Sequence, residues 1–120
     1  MSYAAYAGAQ KVAESGRDLE IRAISHVTRQ LADANRPSAD AMDRVHALNG
    51  NAKLWSLLIN DLSNPDNGLP DKVKAGYISI GTFARRASLA AMLNGADLAT
   101  LIRINTDVLE ALHQQRASTA

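Results

Sequence analysis

Seven consecutive residues, Asn64-Pro65-Asp66-Asn67-Gly68-Leu69-Pro70, constrain this chain more than any other stretch. Proline has no backbone N–H to give to a helix or a sheet, and Asn, Asp and Gly favour tight turns. No regular element can cross such a run, so the apolar segments on either side are separate elements joined by a reversal. Pro37 makes a second break, because the residue before a proline avoids the helical region. Asn94-Gly95 makes a third, with Gly95 suited to a left-handed helix cap.

Between these breaks the apolar residues recur at three- and four-residue spacing, the signature of one helix face. From Arg17 to Asn35 the stripe is Ile21, Ile24, Val27 or Thr28, Leu31 and Ala34. Ser38 or Asp40 can cap the next helix, whose stripe is Met42, Val45, Leu48 or Asn49, Ala52, Trp55, Ile59 and Leu62. Near its end Leu54, Trp55, Leu57, Leu58, Ile59 and Leu62 cover most of the circumference, so that helix is central to the domain or faces a partner. Pro70 suits the first position of the third helix, with Val73, Tyr77, Ile80, Phe83 or Ala84, and Ala87 on one face. Gly76 and Gly81 each cost about 1 kcal/mol relative to Ala inside a helix, a cost easier to accept where another helix approaches closely. Asp97 can cap the last helix, with Leu98, Leu101 or Ile102, Asn105, Val108 or Leu109, and Leu112 inward. Residues 2–14 form a further Ala-rich helical stretch that Gly16 is expected to interrupt. The expected fold is all-α, a compact antiparallel bundle of four to five helices in one domain over residues 1–120. Residues 1–15 are expected to be peripheral or mobile, and 114–120 a frayed tail.

Ala and Leu dominate an apolar content of 47 %, and aromatics are only 4 %, which suits helices over strands. There are no cysteines, so disulfides, zinc thiolates and thiol catalysis are excluded. No apolar run reaches the ~20 residues of a membrane span, and residues 1–6 lack the pattern of a secretory signal. A cytoplasmic protein without membrane insertion is expected. The net charge of +1 argues against a DNA-binding domain. Lys72, Lys74, Arg85 and Arg86 against Asp71 alone give a local basic excess, read as one solvated helix face.

His26, His46 and His113 are far apart in sequence and lack partners at metal-ligand spacing, so they are read as surface residues. Asp40 and Asp43 fall in a first helical turn, where the helix dipole favours acids. Asp61 and Asp66 flank the turn and could bond its backbone amides. Phosphate-binding and hydrolase motifs are absent. No enzyme, metal site or cofactor is expected.

The informative block is Asn51-Ala52-Lys53-Leu54-Trp55, then Leu58-Ile59-Asn60-Asp61-Leu62, then Pro65-Asp66-Asn67-Gly68-Leu69-Pro70, then Ile78-Ser79-Ile80-Gly81. In order and spacing it resembles the flagellar biosynthesis regulator FlaF family of alphaproteobacteria. Ser15-Gly16-Arg17-Asp18-Leu19-Glu20 and the last helix, with Leu101-Ile102 and Ile104-Asn105, extend the likeness to roughly residues 3–113. Gly16, Ala84-Arg85 and Ala111 depart from the family's usual Pro, Val-His and Gly.

The resemblance implies a cytoplasmic protein needed for flagellin production and export, a secretion chaperone or regulator acting against the translational regulator FlbT. Flagellin is then the expected partner, held by an amphipathic terminal helix in an apolar groove. The groove candidates are Leu58, Leu62, Asn67, Leu69, Ile78, Phe83 and Arg86, the last pairing with an acidic rim. Trp55, Pro65, Pro70, Ile80 and Gly81 are assigned to core and turn. The turn itself reads equally as scaffold or as a site presenting Asn67 and Leu69. The alternative is post-transcriptional control of flagellin mRNA, with direct RNA binding through the basic residues or antagonism of FlbT. A structural adaptor at the export apparatus, self-paired as a homodimer, is the third reading.

Overall fold

Chain breaks and side-chain caps set the helix ends. A computed structural model describes the backbone of residues 3–119 and the side chains of residues 18–114. Helix α1 (Tyr3–Ala34) stops ahead of Pro37, and α2 (Ala41–Leu62) stops ahead of the Pro65 turn. Helix α3 (Asp71–Asn94) begins just after Pro70, which sits one position outside the helix rather than in its first turn. It ends at Gly95, whose φ of 67° is the left-handed cap conformation. Helix α4 is Ala99–Thr119. Asp40, rather than Ser38, caps α2, its Oδ1 accepting from the Asp43 amide at 2.8 Å. Asp97 Oδ1 accepts from the Ala99 amide at 2.7 Å in the first turn of α4.

Gly16 does not interrupt α1, which runs through it. One glycine costs about 1 kcal/mol in a helix, too little to break a segment whose neighbours on both sides favour the helical state. The bundle therefore has four helices, the lower expected number. The stretches expected to be peripheral or mobile (1–15) and frayed (114–120) are helical in backbone over 3–15 and 114–119, and side chains before residue 18 and after residue 114 lie outside the described residues.

Each helix antiparallels the next through a short connection. Helix α2 packs most extensively on α3, α1 lies against both α2 and α4, and α3 meets α4 only sparsely. The core gathers the whole α1 stripe, with Ile24 and Leu31 fully buried, around Leu48, Trp55, Leu98 and Leu101. Two other stripes shift from expectation. Met42 is 74 % exposed and Val45 also lies outside; the buried face of α2 is Ala47, Leu48, Asn51, Ala52, Leu54 and Trp55. On α3 the buried residues are Gly81, Ala84, Ser88 and Ala91, while Val73, Ile80 and Phe83 are exposed. The larger apolar residues mislead here because small ones let α3 approach α2 more closely. A Cβ on Gly81 would lie 2.7 Å from Trp55 Cε3 and 3.0 Å from Ile59 Cγ1. Gly76, by contrast, faces open space, so no close packing explains it.

A buried polar relay fixes how the helices sit. Indole N–H can only donate, and Trp55 Nε1 donates to Asn105 Oδ1 at 3.0 Å. That turns the Asn105 amide group toward Asn51 Oδ1, 2.8 Å away. Asn51 Nδ2 in turn donates to Ser88 Oγ at 2.9 Å, and the Ser88 hydroxyl donates to the Ala84 carbonyl at 2.7 Å. Each donor assignment forces the next. No buried side-chain polar atom among the described residues lacks a partner, which removes the penalty that makes buried amides costly.

The opposite end is tied by Arg44, whose Nη2 donates to the carbonyls of Ala91, at 3.3 Å, and Ala96. A cation there also suits the negative C-terminal end of α3. Asn35 links the first and last connections, its Oδ1 accepting from the Leu98 amide at 3.0 Å and its Nδ2 donating to Asp97 at 3.2 Å.

Candidate partner-binding cleft

The turn between α2 and α3 is built by asparagines. Asn64 Oδ1 accepts from the Asp66 amide at 2.9 Å, and Asn67 Oδ1 accepts from the Leu69 amide at 3.1 Å. Asp61 and Asp66, expected to bond the turn's amides, do not. Asp61 accepts instead from the Asn67 side-chain amide at 3.3 Å. These short loops back to the backbone are what Asn does best in turns, and they aim Asn67 and Leu69 inward over the end of the bundle.

Beneath the turn lies a cavity of about 400 Å³, walled by Ile24 of α1, Leu58 and Leu62 of α2, Asn67 to Leu69, Tyr77 of α3, and Val108 and Leu112 of α4. Trp55 is buried yet contributes to the lining. Tyr77 and Val108 are shared with a second, more open cleft of about 520 Å³ between α3 and α4, lined by Ile80, Phe83, Ile104 and Ala111. The two form one apolar surface running from the end of the bundle up the sparse α3–α4 seam. Its charged residues are all acidic: Glu20 and Asp61 at the cavity, Asp107 at the cleft.

The sequence-expected residues separate into three groups. Leu58, Leu62, Asn67 and Leu69 come together in the cavity. Phe83, 55 % exposed, lies in the cleft, and so does Ile80. Ile80 was expected in the core, but it is 41 % exposed because Gly81 and Ala84 turn the core face of α3 away from it. Ile78 and Arg86 line neither space. Ile78 is five residues from Phe83, about 140° around the helix, so one face cannot present both. Arg86 is exposed and stands apart from both spaces, so it does not join the other candidates at the cleft. Pro65 and Pro70 are exposed in the turn, and Gly81 is buried against Trp55.

The α4 wall was missed. Its sign was present as two adjoining stripes: Leu101, Asn105, Val108 and Leu112 seal the core, while Ile104, Val108 and Ala111 run beside them. A second stripe next to a core stripe marks a helix apolar over more than one contact face.

His26, His46 and His113 are exposed, and no group of acids and histidines among the described residues could hold a metal ion. No helix of the described residues is long and apolar enough to cross a membrane.

Fold and cleft together define a class: a small antiparallel four-helix bundle with one seam left open along its side and a pocket under one end. The particular family follows from the whole chain. Residues 2–112 match the family described as flagellar protein FlaF, and the chain belongs to that family. It is a flagellar protein. No curated protein and no solved structure matches it.

Proposed function

We propose that this flagellar protein is a cytoplasmic flagellin-binding chaperone that promotes flagellin synthesis and export by holding an amphipathic terminal helix in the α3–α4 cleft. The observation that carries this is the unsealed seam. In a closed four-helix bundle every helix packs against two neighbours, but α3 has one full neighbour and a sparse second contact. Ile80 and Phe83 on one side and Ile104 and Ala111 on the other await a cover. An amphipathic helix supplies it with apolar residues at i, i+3, i+4 and i+7. Asp107 and Asp61 at the margins favour basic residues beside that stripe.

The test is calorimetric titration with full-length flagellin and with flagellin lacking its C-terminal helix. Phe83→Glu serves as the cleft variant, chosen because the exposed side chain tolerates substitution. Loss of a central aromatic contact costs about 2 kcal/mol or more, so affinity should fall by roughly thirtyfold or more, with melting unchanged. Equal binding of Phe83→Glu and the parent, or undiminished binding of the truncated flagellin, would count against this reading.

A further inference from the structure

A second apolar groove lies on the outer face of α2 and α3, away from the cleft. Leu57 is 69 % exposed and Leu89 47 %. With Ala52 and Ser56 they line a shallow groove of about 450 Å³ whose charged residues are Lys53 and Arg85. Lys53 and Leu57 are one turn apart on α2, and so are Arg85 and Leu89 on α3, so each helix offers a cation next to a leucine. Leu93, a further turn along α3, is also exposed and continues the stripe. Arg85 and Leu89 sit about 160° and 120° around α3 from Phe83, with the core between. From Lys72 to Asn94, α3 contains no acid, and neither Lys53 nor Arg85 is in an ion pair with a described residue.

We propose that this face is a second docking surface, which takes an acidic amphipathic helix of a partner protein while the cleft holds its own occupant. Charge decides the occupant. Exposed leucines require an apolar stripe opposite them, and the flanking cations require acids beside that stripe. The cleft margins carry Asp61 and Asp107, whereas this groove carries Lys53 and Arg85. A helix with acidic flanks is therefore repelled from the first site and attracted to the second, so the two sites sort their partners by sign. A nucleic acid would satisfy the cations but leave Leu57, Leu89 and Leu93 uncovered, and no aromatic ring lines this groove for a base to stack on.

The test uses two labelled helical peptides with the same leucine stripe, one flanked by Glu and the other by Lys, followed by fluorescence anisotropy on the full chain. With the cleft disabled by Phe83→Glu, so that the Lys-flanked peptide has no acidic-margined site to enter, the Glu-flanked peptide is expected to bind at least about tenfold more tightly. The double variant Lys53→Glu/Arg85→Glu should reverse that preference, and Leu57→Ser/Leu89→Ser should abolish binding. Phe83→Glu should leave it unchanged, which separates failure of this proposal from failure of the cleft reading. Circular dichroism checks that each variant is folded. Equal binding of the two peptides to the Phe83→Glu chain, no reversal, or loss of Glu-flanked peptide binding in Phe83→Glu overturns the proposal. So does an RNA oligonucleotide or anionic vesicle that binds the parent through Lys53 and Arg85 more tightly than the Glu-flanked peptide.

Discussion

Replacing two glycines of α3 by alanine, one at a time, should move stability in opposite directions. In Gly81→Ala the new Cβ meets Trp55 Cε3 at 2.7 Å and Ile59 at 3.0 Å. The tighter contact is with a buried ring that also holds the 3.0 Å bond to Asn105, so it cannot swing aside as a flexible side chain would. Overpacking of this kind costs about 1–3 kcal/mol, and the rigid ring places this site in the upper half of that range. Alanine's better helix propensity returns roughly 1 kcal/mol, leaving a net loss of about 1–2 kcal/mol. Gly76→Ala meets nothing within 4 Å and gains about 0.5–1 kcal/mol, largely by restricting the unfolded chain. The variants should thus differ by about 1.5–3 kcal/mol. At about 3–6 °C per kcal/mol for a domain of this size, their melting temperatures should be roughly 5–18 °C apart. Thermal and urea unfolding followed by far-UV circular dichroism reads both without relying on Trp55 fluorescence. If Gly81→Ala melts at or above the parent, the close approach of α2 and α3 is not a tight constraint, and the argument fails.

Two further substitutions probe the polar contacts. Asn105→Leu strands both Trp55 Nε1 and Asn51 Oδ1; at about 1–3 kcal/mol for each buried unsatisfied group, urea unfolding should show a loss of roughly 2–6 kcal/mol. A loss under about 1 kcal/mol would mean that the relay contributes little. Asp97 is held below its ordinary value of 3.8 chiefly by the Ala99 backbone amide, then by the Asn35 side chain, with a smaller effect from Arg44. A depressed carboxylate stabilises the fold above its unfolded value, and the contribution disappears as the pH falls through the lower folded value. The melting difference between the parent and Asp97→Ala should therefore narrow as the pH is lowered from about 6 to about 3, and a constant difference would refute the link.

How much could be read from sequence depended on what made each helix face. The α1 stripe was legible because large aliphatics alone form it, from Ile21 to Leu31. Helices α2 and α3 were misread where the core is polar or small. Apolar periodicity points at Met42, Val45 and Ile80, but burial went to Asn51 and Ser88 and, beside them, to Gly81 and Ala84, which the sequence had offered for the core. Their fitness for the interior is pairwise: Asn51 is tolerable only because Ser88 and Asn105 complete its bonds. Half of the cavity, from Leu58 to Leu69, was legible because turn and helix are adjacent in sequence. The α4 half was not, because which of its two stripes is sealed depends on where α3 lies, and a hydrophobic pattern does not encode that distance.

That distance follows from the contacts of α2. The relay runs from α4 to α2 through Asn105, and from α2 to α3 through Asn51, with no side-chain hydrogen bond between α3 and α4 among the described residues. Gly81 brings α3 close against Trp55 and Ile59 on the same side. Helix α3 is thus drawn toward α2, and α4 is held to α2 by its own bond, so α2 sets both positions independently. The connection at Gly95 to Leu98 keeps α3 and α4 together at one end, and the cleft lies toward the other, between Tyr77 to Phe83 and Ile104 to Ala111. Closing the seam would require α3 to leave its close fit on Trp55 or Asn105 to leave its bonds. Filling it with a helix requires neither, which is why the same small-residue face that gives α3 its tight partner in α2 leaves an apolar surface for another.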